Sequence, residues 1–277
     1  ALKQADIGVA MGITGTAVSK ESADIVLTDD NFASIAAAVE EGRRVYDNLV
    51  KSLAFVLPTN LGEALIILIA VMFFPVVTGA GEGDALMPMR PVQILWINLV
   101  ATVALALPLA FEAREPDVMR RPPRRPNAPI LGRFVLVRTV VVAVLMTAGA
   151  IGLFLYEYRL EQPRVGHVQA VREAQTMAVT TVALFQIFYL LNCRSLRDSL
   201  LRIGLFTNPY IYLGIAALLL LQLGFVYLPL FNRVFGSAPL NADAWLKSTL
   251  VAAVVLPVIA AEKAWRQRGG RAAAPAR

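Results

Sequence analysis

Ser52-Leu53-Ala54-Phe55-Val56-Leu57-Pro58-Thr59-Asn60-Leu61-Gly62-Glu63-Ala64-Leu65-Ile66-Ile67-Leu68-Ile69-Ala70-Val71-Met72-Phe73-Phe74 is long enough to cross a bilayer, and it carries an amide and a carboxylate near its middle. Crossing a hydrocarbon core of about 30 Å takes roughly 20 mainly apolar residues. Ionisable and amide side chains at that depth are costly, so they point to an ion or substrate path. The next apolar stretch, near 91–112, repeats the pattern with Asn98 and Thr102. Four more follow near 132–156, 174–192, 208–231 and 244–262. The expected fold is therefore mainly α, a polytopic six-helix transmembrane bundle.

Composition agrees, because 57% of the 277 residues are hydrophobic, above the roughly 45–50% of soluble domains. The mean hydropathy is +0.61. A net charge of +6 would suit nucleic acid, but the arginines flank apolar spans instead of forming a soluble basic surface. The partner read from them is the lipid bilayer, with no nucleic acid. Arg114, Arg120, Arg121, Arg124, Arg125 and Arg133 follow the second span, Arg194, Arg197 and Arg202 follow the fourth, and Lys263, Arg266, Arg268 and Arg271 close the chain. Basic loops stay on the cytoplasmic side, which puts these segments and both ends of the chain there. The intervening loops at 75–90 and 232–243 carry one Arg each, and a loop at 157–173 balances its charges. Trp96, Trp245 and Trp265 near span ends fit interfacial aromatics.

Cys193 is the single cysteine and His167 the single histidine, which excludes an intrachain disulfide and a multi-cysteine metal site. The chain opens on Ala1-Leu2-Lys3-Gln4, with neither an initiator Met nor a secretory signal, and reads as the C-terminal piece of a longer integral membrane protein, expected in a prokaryotic plasma membrane.

Residues 1–41 differ in kind. Ile7 to Met11 and Asp24 to Thr28 read as short buried strands, and Thr16 to Ala23 as a helix between them. This is the strand, helix, strand unit of a doubly wound α/β sheet. Asp29-Asp30-Asn31 supplies N-capping chemistry for a helix from about Phe32. With no proline before Pro58, that helix is expected to continue through a stalk at 42–51 into the first span. The spans at 52–112 carry the polar groups, and 113–131 is a stiff connector built on Arg120-Arg121-Pro122-Pro123-Arg124-Arg125-Pro126. Four further spans occupy 132–265, and 266–277 reads as a disordered basic tail.

Several motifs carry a resemblance. The segment Ala1 to Gly12, then Gly15-Thr16 and Ala23 to Phe32, resembles the end of the phosphorylation domain of type II, calcium-pump-like P-type ATPases. The resemblance continues through Asn60-Leu61-Gly62-Glu63, Gln93 to Val100, Met119-Arg120-Arg121-Pro122-Pro123-Arg124 and Gln175-Thr176-Met177-Ala178. It implies a haloacid-dehalogenase-like cytoplasmic segment followed by the family's fifth to tenth membrane helices. It also implies ATP and magnesium as cofactors, held by upstream actuator, nucleotide-binding and phosphorylation domains of the same polypeptide. Thr14-Gly15-Thr16 is not the family's phosphorylation motif, since Gly12 and Ile13 stand where Asp and Lys would be. No residue of this chain reads as catalytic.

Asn60 and Glu63 are three apart and Asn98 and Thr102 four apart, so each pair lies on one helix face. Together they offer a carboxylate, two amides and a hydroxyl, the oxygen ligands that hard cations prefer. Pro58 and Pro108 each free a backbone carbonyl, which bends the helix or adds a ligand. Thr102 and Gln186 fit helix-to-helix hydrogen bonds equally well. The resemblance makes Asn60, Glu63 and Asn98 cation ligands and puts Thr102 and Gln186 where the calcium pump has carboxylates. Glu63 then reads as the one buried carboxylate of the spans, and Glu112 as a solvated interface residue. A single buried carboxylate suits one monovalent ion, or one divalent ion with help from elsewhere, better than two divalent ions. The expected function is a share of an ATP-driven cation pump moving calcium or a monovalent cation. The alternative is a non-catalytic membrane subunit or passive channel of the same architecture.

Overall fold

The computed structural model describes residues 2–74, 86–124, 127, 129–196, 204 and 206–272, the last six of these by backbone alone. The chain divides into two units, Ala1–Asp47 with Arg114–Arg124, and Asn48–Ala113 with Arg125–Arg277.

In the first unit, strand β1 (Val9–Met11) pairs in parallel with β2 (Ile25–Leu27), with Val9 opposite Ile25. Helix α1 (Ala17–Glu21) joins them, capped by the Thr16 hydroxyl, which accepts from the Ser19 N–H. The order strand, helix, strand is as expected, but the strands are not the buried ones read from sequence, Ile25 and Val26 being 39% and 40% exposed, and two strands do not define a doubly wound sheet. Asp30, at φ 50°, accepts from the backbone N–H of Ile13 and of Thr14, both at 2.8 Å, and from the Thr14 hydroxyl at 2.7 Å. Thr14 thus anchors a loop. Those donors hold the Asp30 carboxyl down to about 2. Gly12 is required here, since a Cβ would lie 2.5 Å from the Leu27 carbonyl oxygen. Asn31 accepts from the Ala33 N–H and opens α2 (Ala33–Phe73). The connector's Arg121 pairs with Asp47, Glu115 and Asp117, and the Asp117 bond leads in raising its already high pKa.

The unit boundary falls within α2, which runs unbroken through Gly42. Among the described residues, six helices are long and apolar enough to cross a membrane. The second is composite. Regular α3 (Pro91–Ala101) passes into a π turn over Thr102–Ala106 and a 3-10 turn over Leu107–Phe111. Then come α4 (Arg133–Val165), α5 (His167–Cys193), α6 (Pro209–Tyr227), a short α7 (Pro229–Phe235), α8 (Ala242–Ala253) and α9 (Val255–Ala272).

Several boundaries differ from expectation. The loop at 157–173 does not exist: α4 and α5 meet at Gly166, whose φ of 82° is open to glycine and strained for other residues. The fifth span ends at Tyr227, because Pro229 cannot continue the ladder and starts a new helix. Helix α9 runs to Ala272, into the segment read as a disordered tail; residues 273–277 lie outside the described residues. So do most of the loop at 75–90, Arg125, Pro126, Arg197 and Arg202.

Helix α5 is the axis of the bundle. Its span is 89% buried, against at most 39% for the other five, yet it is the least apolar of the six. The two facts have one cause. Lipid-facing helices must be hydrocarbon on the outside, whereas a helix surrounded by protein can carry amides and hydroxyls that bond to its neighbours. Accordingly Gln175 donates to the Met87 carbonyl (2.9 Å), Thr181 to Ser248 (3.1 Å), and Thr180 accepts from Gln222 (3.0 Å).

Candidate functional site

Glu63 sits on α2, only 3% exposed. The neighbouring Gly62 permits close packing on α4, where Thr147 donates to its carbonyl (3.1 Å) and the Met146 methyl would lie 2.3 Å from an added Cβ. From α3, Asn98 Nδ2 donates to Glu63 Oε2 at 2.7 Å. From α5, Gln186 Nε2 donates to Oε1 at 3.0 Å. One carboxylate therefore joins three helices, and both of its oxygens accept from amides. The Gln186 side-chain oxygen is itself buried without a hydrogen-bond partner. Asn60, one turn before Glu63, is exposed. Asn60, Glu63 and Asn98 line an open cavity of about 780 Å³ with Ala64, Ile67, Leu68, Val71 and Ile94.

Thr102 is not brought to this place. It is exposed and begins the π turn, outside the residues that line the cavity. The four-residue spacing itself is kept, since the Thr102 N–H still bonds the Asn98 carbonyl one turn back as well as that of Leu99, so the residue follows Asn98 up the helix but lies beyond the residues that line the cavity.

Pro58 does not offer the free ligand that was open from sequence. Pro58 lacks the N–H that would bond the Ala54 carbonyl, and the Tyr189 hydroxyl from α5 fills that place at 2.7 Å. Near Pro108, the Ala104 carbonyl approaches α6 at Gly214, where a Cβ would lie 1.8 Å from the oxygen.

Glu63 is not the one buried carboxylate. Glu112 is fully buried, ion-paired at 3.0 Å with an equally buried Arg194, and Glu157 is 4% exposed. Arg194, read as a loop charge, closes this pair, and Lys263, read as a tail charge, is buried with its ammonium on the Asn192 carbonyl (2.8 Å). Arg138, inside α4, is 2% exposed and pairs with Glu262. A run of isolated charges at span ends gives no sign of which neighbours the bundle will supply. No group of three or more His, Cys, Asp or Glu side chains suited to a metal occurs among the described residues.

Residues 86–265 match the family described as the C-terminus of cation transporting ATPases. The chain belongs to the cation-transporting P-type ATPase family. It is 45% identical, over 95% of its length, to a Mycobacterium tuberculosis protein named "Probable cation-transporting ATPase F". It is 39% identical over 93% of its length to "Cation-transporting ATPase pma1" of Synechocystis, and 37% over 88% to "Calcium-transporting ATPase 1" of Bacillus cereus. The chain spans 27% of the length of each of these relatives. As a member of this family with six membrane-crossing helices, it is an integral membrane protein.

Proposed function

We propose that this chain supplies part of the cation path of an ATP-driven pump, with Glu63 as its charged ligand and Asn60, Asn98 and Gln186 as amide ligands. The observation that carries the reading is a buried carboxylate on a membrane-crossing helix, held by amides from two others, beside an open cavity. The Asn98 and Gln186 amide N–H groups face Glu63. Rotation of the Gln186 amide would offer its unpartnered oxygen instead, so that carboxylate and amide oxygens together surround the ion. Thr102 is left out of the ligand set.

The cargo is one calcium ion or one monovalent cation. ATP and magnesium act in actuator, nucleotide-binding and phosphorylation domains upstream in the same polypeptide, and α2 passes their movement to residues 60–63. The segments 1–41, 42–51, 52–112, 113–131, 132–265 and 266–277 serve as phosphorylation-domain end, stalk, transport helices, connector, supporting helices and tail. Both ends of the chain lie in the cytoplasm, at a prokaryotic plasma membrane.

The test is ATP hydrolysis by the full-length protein across calcium, sodium, potassium, magnesium and pH, with Glu63→Gln beside the native sequence. Stimulation by one cation, lost in the variant, is the expected result. Cation-stimulated hydrolysis unchanged by the substitution removes Glu63 from the path.

A further inference from the structure

Away from the cavity, the end of the composite second span is pinned by side chains. Asn48 of α2 donates to the Ala110 carbonyl (3.1 Å) and the Glu112 carbonyl (2.9 Å). Asn208, the cap of α6, donates to the Pro108 carbonyl (2.9 Å) and to Glu112 Oε2 (3.0 Å). Arg194, just past α5, donates to Glu112 Oε1 (3.0 Å) and to the Thr207 hydroxyl (2.6 Å). Glu112 and Arg194 have no solvent exposure, and Asn48 and Asn208 are 2% and 1% exposed.

A buried ion pair is weak evidence for stability, since removing two charges from water costs about as much as their attraction returns, and apolar replacements are often neutral or better. What such a pair does well is fix a register, because either charge displaced from its partner is strongly penalised. The register fixed here is specific. Arg194 caps α5 about two helical turns beyond Gln186, and Glu112 closes, beyond its π and 3-10 turns, the same composite span that carries Asn98. The two residues so related are the two that donate to Glu63.

We propose that the Glu112–Arg194 pair is a positioning element of the Glu63 site, setting the relative height of Asn98 and Gln186 about the carboxylate. The inference rests on the reading of Glu63 as a cation ligand.

The decisive variant is the double substitution Glu112→Gln with Arg194→Gln in the full-length protein, which removes the register without leaving a charge unpaired. Its cation-stimulated ATP hydrolysis is compared with the native protein and with Glu63→Gln. The expected result is a folded protein of near-native melting temperature whose KM for the stimulating cation rises at least fivefold, with kcat at saturating cation within about twofold of native. A native KM overturns the proposal. So does a double variant that fails to insert and fold, since that assigns the pair to folding. If Glu63→Gln also leaves the cation dependence native, the reading of Glu63 has failed, independently of the pair.

Discussion

The Tyr189 hydroxyl answers a deficit created three helices away in sequence, and substitution can isolate its worth. Pro58 lacks the N–H that an ordinary residue would give to the Ala54 carbonyl, and the Tyr189 O–H takes that role at 2.7 Å, with both Ala54 and Tyr189 buried. Tyr189→Phe removes one oxygen and keeps the ring, including its stack on Phe55 at 6.1 Å. Leaving a buried acceptor unsatisfied costs about 1–3 kcal/mol in proteins generally. Couplings between membrane helices run lower, about 0.6 kcal/mol on average and about 1.7 at most. The expected loss is therefore about 1–2 kcal/mol. Pro58→Ala restores an N–H within reach of the same carbonyl, so in that background Tyr189→Phe should cost less than about 0.5 kcal/mol. Unfolding of the full-length protein in mixed micelles, titrated with a denaturing detergent, gives the four free energies of the double-mutant cycle. Equal costs in the two backgrounds would refute the link between the hydroxyl and the proline.

Two further outcomes are expected. Gly214→Ala places a methyl 1.8 Å from the Ala104 oxygen, which forces α6 away from the π turn; overpacking of this kind costs about 1–3 kcal/mol, read in the same detergent titration, and an unchanged midpoint would show that the contact is slack. In the first unit, Asp30 is held down to about 2 by the Ile13 and Thr14 donors, against an ordinary value of 3.8; its contribution is complete above the unfolded value and fades as pH falls through the folded one. Protection of the Ile13 and Thr14 amides, measured against the intrinsic exchange rate at each pH, should accordingly persist down to about pH 4 and fall toward pH 2, whereas in Asp30→Asn it should be low throughout; identical pH profiles of protection would exclude the carboxylate as the anchor.

How much of this was legible depends on range. The six spans were readable because a lipid solvent demands long apolar runs, and the Glu63 site because a carboxylate within such a run is conspicuous. The capped starts of α1 and α2 follow from short-range chemistry at Thr16 and Asn31. What escaped was pairing at long range. Glu112 and Arg194 each look like an ordinary interfacial charge, and only the meeting of the end of the composite second span with the end of α5 makes them a buried pair. Thr102 escaped for another reason: a four-residue spacing puts two side chains on one helix side without saying how far along that side a cavity extends, and this cavity stops at Asn98. Pro58 gave notice of a freed carbonyl, but nothing near it in sequence announced Tyr189.

The junction at Gly166 has a consequence for the molecule's outline. A helix of 33 residues, as α4 is, measures about 50 Å, while the hydrocarbon it crosses is about 30 Å thick. With α5 returning from a one-residue corner, a helix longer than the oily layer is thick has to project beyond it, and the helix ends on either side of Gly166 carry the exposed charges Arg159, Arg164 and Arg172. Any antibody, toxin or companion subunit arriving on that side meets a landmark whose shape is already set, and a protease finds scarcely a peptide bond there that it could draw into an extended strand.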